Sequence, residues 1–294
     1  MRQKFNEDFR EIFEIPLTFE GEEVLFDNIT NNEQYLNPDY IQSVYMPVHG
    51  TDGLSGRVFL YKYDREEYFN LIKRILVHKP IVITYPKGDI DVIKKYCELG
   101  VRGFMVTKWD NEFYKLKSIY KGLKFHRSIV GNSYNEEIDE RFDSIVVAYH
   151  KMLDEEYLRE ASKKVNLVYL CNHHCNPACM NMDKHLFKTD RRIYGDFICP
   201  NDLNSYFIPR QVLMKVLPYI NTIKLVDRSE SAELYESCLN YYTGESDFDI
   251  ELVENTDVIR LLLRFILKDR MYKYSRMAEG NCEFKCKTCD RKCF

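Results

Sequence analysis

PIVITYPKGDIDVIKKYCELGVRGFMVT, residues 80 to 107, decides the fold. Its two ends, PIVITY (80–85) and VRGFMVT (101–107), are short apolar runs of strand character, and DIDVIKKYCELG between them carries a helical pattern. A strand, a helix and another strand in this order pair the strands in parallel. The same rhythm continues outward. Strand patterns lie at 43–47, 123–130, 143–149, 165–171, about 205–208 and 221–227, with helical patterns in REEYFNLIKRILVHK, NEFYKLKSIYKG and LDEEYLREASKK. Eight strands alternating with helices predict an α/β chain folded as an eight-stranded parallel βα (TIM-like) barrel, followed by a C-terminal helix and a cysteine-rich tail. An open doubly wound sheet is the alternative arrangement. The barrel domain is expected over residues 1–250, with a cysteine loop at 171–199, and the helix and tail over 251–294.

Composition narrows the function classes. The chain has 294 residues, is 45% hydrophobic and 30% charged, and carries a formal charge of −4, so it buries a sizeable core and has no global pull toward polyanions. Residues 1–20 are charged throughout and LLLRFIL is short and interrupted by Arg264. The expectation is a cytoplasmic protein with no membrane association. Ten cysteines in a reducing compartment favour metal over disulfides, and nine of them follow residue 170.

The cysteines fall into two constellations. VYLCNHHCNPACMNMDKH places Cys171 at the end of a strand pattern and Cys175 and Cys179 in the loop beyond it, with Cys199 twenty residues after Cys179. In a βα barrel the C-terminal ends of the strands are where chemistry sits. Thiolates gathered there suit an Fe–S cluster or zinc. His173, His174 and His185 are candidate ligands, acid–base groups or plain loop residues. The second constellation, CEFKCKTCDRKC, supplies Cys282, Cys286, Cys289 and Cys293, enough for a tetrahedral zinc site or a four-iron cluster. Cys97 and Cys238 fall inside helical patterns and are assigned to core packing.

Charged residues add a candidate pocket. In TIKLVDR, alternation puts Lys224, Val226 and Arg228 on one face and Ile223 and Leu225 on the other. If the aliphatic face meets the helices, Lys224 and Arg228 point inward and toward the mouth, to hold an anion or to pair with a neighbouring carboxylate. The basic run KHLFKTDRR and the lysines and arginine of the tail offer a rim for RNA, or a solvated face. No Gly-x-Ser-x-Gly, His-Glu-x-x-His or Walker loop is present.

The segment VNLVYLCNHHCNPACMNMDKH resembles the signature of the collagenase-like peptidase family, unclassified peptidase family thirty-two, which includes the UbiU and UbiV type oxygen-independent hydroxylases. Cys175, Cys179 and His185 carry that match. YFIPRQVL and TIKLVDRSESAELYESCLNYYTG are similar to the family's last segments, through Lys224 and Arg228, and GLSGR, with Arg57, resembles its turn after the first strand. The resemblance spans about residues 43 to 245, and the tail is similar to the ends of short single-barrel members. It implies a 4Fe–4S cluster at the barrel mouth, or two if the tail holds its own, with zinc the alternative at the C-terminal cysteines. It also implies a redox enzyme, hydroxylase-like, acting on RNA or a small anionic substrate, with Arg57, Lys224 and Arg228 binding substrate and His185, Lys224 and Arg228 catalytic. The alternatives are a peptidase with a cysteine nucleophile and a non-catalytic Fe–S or zinc partner or scaffold, paired with another member of the family.

Overall fold

The computed structural model describes residues 9–17, 38–52, 64–85, 87–128, 138–148, 151–152, 154–173, 206–207, 210–225 and 232–243. Eight parallel strands close into a barrel: β1 (Phe13–Pro16), β2 (Ile41–Pro47), β3 (Ile81–Thr84), β4 (Gly103–Val106), β5 (Lys124–Arg127), β6 (Ser144–Val146), β7 (Asn166–Leu170) and β10 (Thr222–Lys224). Closure runs through β1, which pairs β2 on one side and β10 on the other, so the open doubly wound sheet is excluded. Two very short strands, β8 (Asn172–His173) and β9 (Tyr206–Phe207), form a separate antiparallel pair.

One of the eight expected barrel strands is corrected by the structure. The pattern at 205–208 is not a barrel strand: among the described residues β9 pairs with β8 in a separate two-stranded sheet, and the closed barrel runs through other strands. The eighth strand is instead β1, drawn from the charged opening segment. Its short FEIP carries one charge among apolar residues: Phe13 stacks on Phe9 at 5.8 Å and meets Tyr242 at 6.3 Å, while Glu14 turns to the other face. A single inward carboxylate thus hides an otherwise apolar strand.

Helices cover the outside: α1 (Arg65–Leu76), α2 (Ile90–Leu99), α3 (Glu112–Ile119), α4 (Glu155–Ser162), α5 (Arg210–Val216) and α6 (Ala232–Thr243). α1 starts on a capping box, in which Asp64 accepts from the Glu67 N–H and Glu67 accepts from the Asp64 N–H. Tyr68, Leu71, Ile72 and Ile75 then recur at helical spacing and are buried. α2 is capped by Asp89 and ends at Gly100, whose φ of 107° is a left-handed conformation that favours glycine. Outward strand residues such as Ile83, Phe104, Phe125 and Ile223 form the layer beneath these helices, and Phe113 of α3 stacks on Phe125 with ring centroids 3.9 Å apart. No helix among the described residues is long and apolar enough to cross a membrane.

Candidate functional site

The inward faces of the strands are where the barrel departs from a purely apolar core. Glu14 is in register with both Lys224 and Ser43, and parallel strands in register point their side chains the same way. The Lys224 ammonium donates to one Glu14 oxygen, and the Ser43 hydroxyl donates to the other at 3.2 Å. The same ammonium lies 3.6 Å from the centre of the Tyr45 ring and 3.7 Å from the Met105 sulfur. Lys224 therefore reaches across the lumen from β10 to β4. Both charged side chains are buried, with 5% exposure each, so the pair depends on these contacts to offset the cost of leaving water.

A second polar group lines the opposite wall. Thr84, Met105, His126 and Ser144 are linked in register across β3 to β6, and Met105 touches Lys224, so this row faces the lumen. His126 Nδ1 is hydrogen-bonded with the Ser144 hydroxyl at 2.6 Å. Burial pushes the imidazole down to about 4; Glu14 and Asp143 oppose that shift, and Lys224 and Lys124 reinforce it. At neutral pH the ring is uncharged. The Thr84 hydroxyl is buried and has no hydrogen-bond partner among the described residues.

Just past the C-terminal end of β2, a third cluster fixes the root of the loop that enters α1. Asp52 is buried and accepts from the Tyr96 hydroxyl at 3.0 Å, from Arg65, and, as an ion pair at 3.5 Å, from Lys95. The Tyr96 oxygen in turn accepts the His49 backbone N–H at 2.6 Å, and burial raises the phenol's pKa. His49 Nδ1 is hydrogen-bonded with the Thr51 hydroxyl at 2.8 Å and accepts from the Thr51 N–H at 3.3 Å. Arg57 follows in residues 53–63, which lie outside the described residues.

Of the predicted site residues, the structure describes Lys224 and Cys171. Lys224 faces the lumen as the alternation in TIKLVDR indicates, and it has a carboxylate partner, Glu14. Cys171 follows the last residue of β7, and its N–H approaches the Lys224 carbonyl at 3.4 Å. Because Leu170 is in register with Lys224 and shares its lumen face, alternation turns the next side chain outward. Accordingly Cys171 is fully buried beside Tyr242 of α6, whose hydroxyl donates to the Cys171 carbonyl at 3.1 Å. Burial pushes its thiol up to about 12, with hydrogen bonding from Tyr242 working against the shift. Cys97 and Cys238 are buried in the core. Among the described residues no three His, Cys, Asp or Glu side chains come together as a metal site. Arg57, Cys175, Cys179, His185, Cys199, Arg228, Cys282, Cys286, Cys289 and Cys293 lie outside the described residues.

Sequence reasoning missed Glu14, His126, Ser144, His49 and Asp52. The signal for His126 was available: in KFHR, Phe125 and Arg127 share one face, leaving His126 on the other.

Fold and lumen together define a TIM-type α/β barrel with an ion pair inside it. Solved structures similar to the chain include these two. One is a U32 peptidase, 11% identical, covering 78% of this chain and 97% of its own, with a TM-score of 0.46. The other is a monomeric dihydrodipicolinate synthase variant, 12% identical, covering 89% and 85%, with a TM-score of 0.42. Neither likeness bears on family or reaction, and the barrel assignment stands on the strand order itself. No protein-family model and no curated protein matches the chain.

Proposed function

We propose that the chain is an iron–sulfur barrel protein of the collagenase-like peptidase family, a redox enzyme of hydroxylase type acting on RNA or a small anionic substrate. The observation that carries this reading is the place of Cys171. Its backbone leaves β7 beside Lys224, so the loop that bears Cys175 and Cys179 starts at the C-terminal face, where barrel enzymes do their chemistry. The donor set is thiolate, which fits an Fe–S cluster or zinc.

Cys175, Cys179 and Cys199 are the mouth ligands assigned by this proposal. The sequence nominates Cys171 as a fourth, but alternation turns its side chain away from the lumen and it is buried beside Tyr242 of α6, so the proposal leaves it in the core. A bound cluster would supply one-electron redox chemistry at the mouth. The chain's own part is to bind and orient substrate through Arg57 and Arg228, while Glu14 neutralises Lys224 within the lumen. Cys282, Cys286, Cys289 and Cys293 are assigned to a second cluster or to zinc.

The peptidase alternative needs a thiolate nucleophile; among the described residues Cys97 and Cys171 are buried with raised pKa values, so that reading would fall to the loop cysteines Cys175 and Cys179, which a cluster would occupy. Iron, sulfide and zinc analysis of anaerobically prepared protein separates the readings. Iron with sulfide supports the cluster enzyme, whereas zinc alone, or metal-free protein that cleaves peptides and is blocked by a thiol alkylating agent, contradicts it.

A further inference from the structure

We propose that Lys224 is a nucleophilic amine that forms an imine with a small neutral aldehyde or ketone in the barrel lumen, with Glu14 moving the protons. Three observations meet at one point. Lys224 stands at the C-terminal end of the last barrel strand, buried, with its nitrogen against the Tyr45 ring and the Met105 sulfur. Glu14 shares a hydrogen bond with that nitrogen, so it is placed to take a proton from it without any rearrangement. Across the lumen stand the neutral His126 and the Thr84 hydroxyl, which lacks a hydrogen-bond partner within the described structure. His126 and Thr84 are half-buried as residues, while the Thr84 hydroxyl itself is buried and turned into the lumen on the same row as Met105.

The pairing explains why a lysine rather than an arginine suits this place. An ammonium in a low-dielectric site with a carboxylate beside it can pass its proton across and leave a neutral amine beside a neutral acid, which removes two buried charges. Guanidinium cannot do this. The neutral amine adds to the carbonyl carbon; the carbonyl electron pair goes to oxygen, which takes the proton back from Glu14. The carbinolamine then loses water, and the resulting iminium nitrogen sits beside the ionised Glu14 carboxylate. One carbonyl compound and one ammonium give one iminium and one water, with Glu14 unchanged. The ligand is assigned as uncharged because Glu14 and Lys224 already balance, and an added anion would leave the lumen with unpaired charge. Its oxygen would accept from the Thr84 hydroxyl or a His126 N–H.

Formaldehyde with cyanoborohydride is the direct probe, since the aldehyde is the smallest member of the class and the hydride traps the iminium as an N-methyl group. The intact chain is treated briefly at neutral pH and the methylated lysines are mapped by mass spectrometry. Lys224 is expected to be modified ahead of the exposed lysines, and Glu14→Gln to slow that site by about 10²-fold while the surface lysines react as before. Lys224→Arg keeps the cation and should remove the fast site alone, with circular dichroism confirming the fold of each variant. A Lys224 that stays unmodified while surface lysines are consumed overturns the proposal. So does a Lys224 rate that Glu14→Gln and Glu14→Asp both leave unchanged.

Discussion

Glu14 on the first barrel strand accepts a hydrogen bond from the ammonium of Lys224 on the last, across the seam where the barrel closes. The contact joins residues 210 positions apart and fixes β1 in register with β10. Two buried charges that satisfy one another here also make the seam vulnerable, because removing either strands the other.

Glu14→Gln should therefore destabilise the chain by about 3–5 kcal/mol, measured as a lowered urea midpoint. The double variant Glu14→Gln with Lys224→Met should recover much of the loss, since no charge is then left unpaired. Equal destabilisation in the single and double variants would contradict a paired role.

Gly103 gives a packing prediction of a different kind. A Cβ built there lies 2.9 Å from a Val82 methyl and 3.2 Å from the Ile81 carbonyl oxygen, closer than neighbouring strands allow without movement. Gly103→Ala should cost about 1–3 kcal/mol, and trimming the partner with Val82→Ala should relieve part of it. Unchanged stability in Gly103→Ala would show that β3 and β4 have slack at this point.

The imidazole of His126 sets a pH dependence. Its ordinary value is 6.5 and burial brings it to about 4, so between these values the unfolded chain binds more protons than the folded one. This residue's contribution is thus constant above about pH 7, and stability falls as pH drops from about 6.5 toward 4. Urea midpoints across that window should fall less steeply in His126→Gln than in the parent chain. An imidazole resonance titrating at 6.5 or above would contradict the buried placement.

Much of the barrel is legible in the sequence because the helix-facing sides of the strands are aliphatic or aromatic and the intervening helices are strongly periodic. PIVITY, VRGFMVT and VNLVYLC read correctly for that reason, and α1 to α4 lie within the helical patterns. β1 does not read, because Glu14 faces a lumen whose charge is balanced by a residue more than two hundred positions away, and no local pattern reports such a partner. The fragment SYFI reads as a strand and is one, but pairing decides its sheet and pairing is non-local. The same limit applied to the site. Alternation announced the inward Lys224, yet Glu14, His126 and Ser144 become a group only when the barrel closes. For Cys171 the alternation was present too: the strand that carries Leu170 toward the lumen carries Cys171 toward α6.

For the tail, a chain ending at Gly280 should retain the barrel's circular dichroism and lose part of its bound metal, because Cys282, Cys286, Cys289 and Cys293 all follow the cut. Full retention of metal would empty the proposed tail site. Loss of the folded signal would make the tail a structural clamp instead.

A cluster held at the mouth by the loop cysteines is best tested by comparing anaerobically prepared parent chain with Cys175→Ser and Cys171→Ala. Iron and sulfide with visible absorbance are expected in the parent, with loss of the mouth cluster's share of both in Cys175→Ser and retention in Cys171→Ala. Iron content unchanged by Cys175→Ser, or a parent chain that holds neither iron nor sulfide, would contradict that assignment.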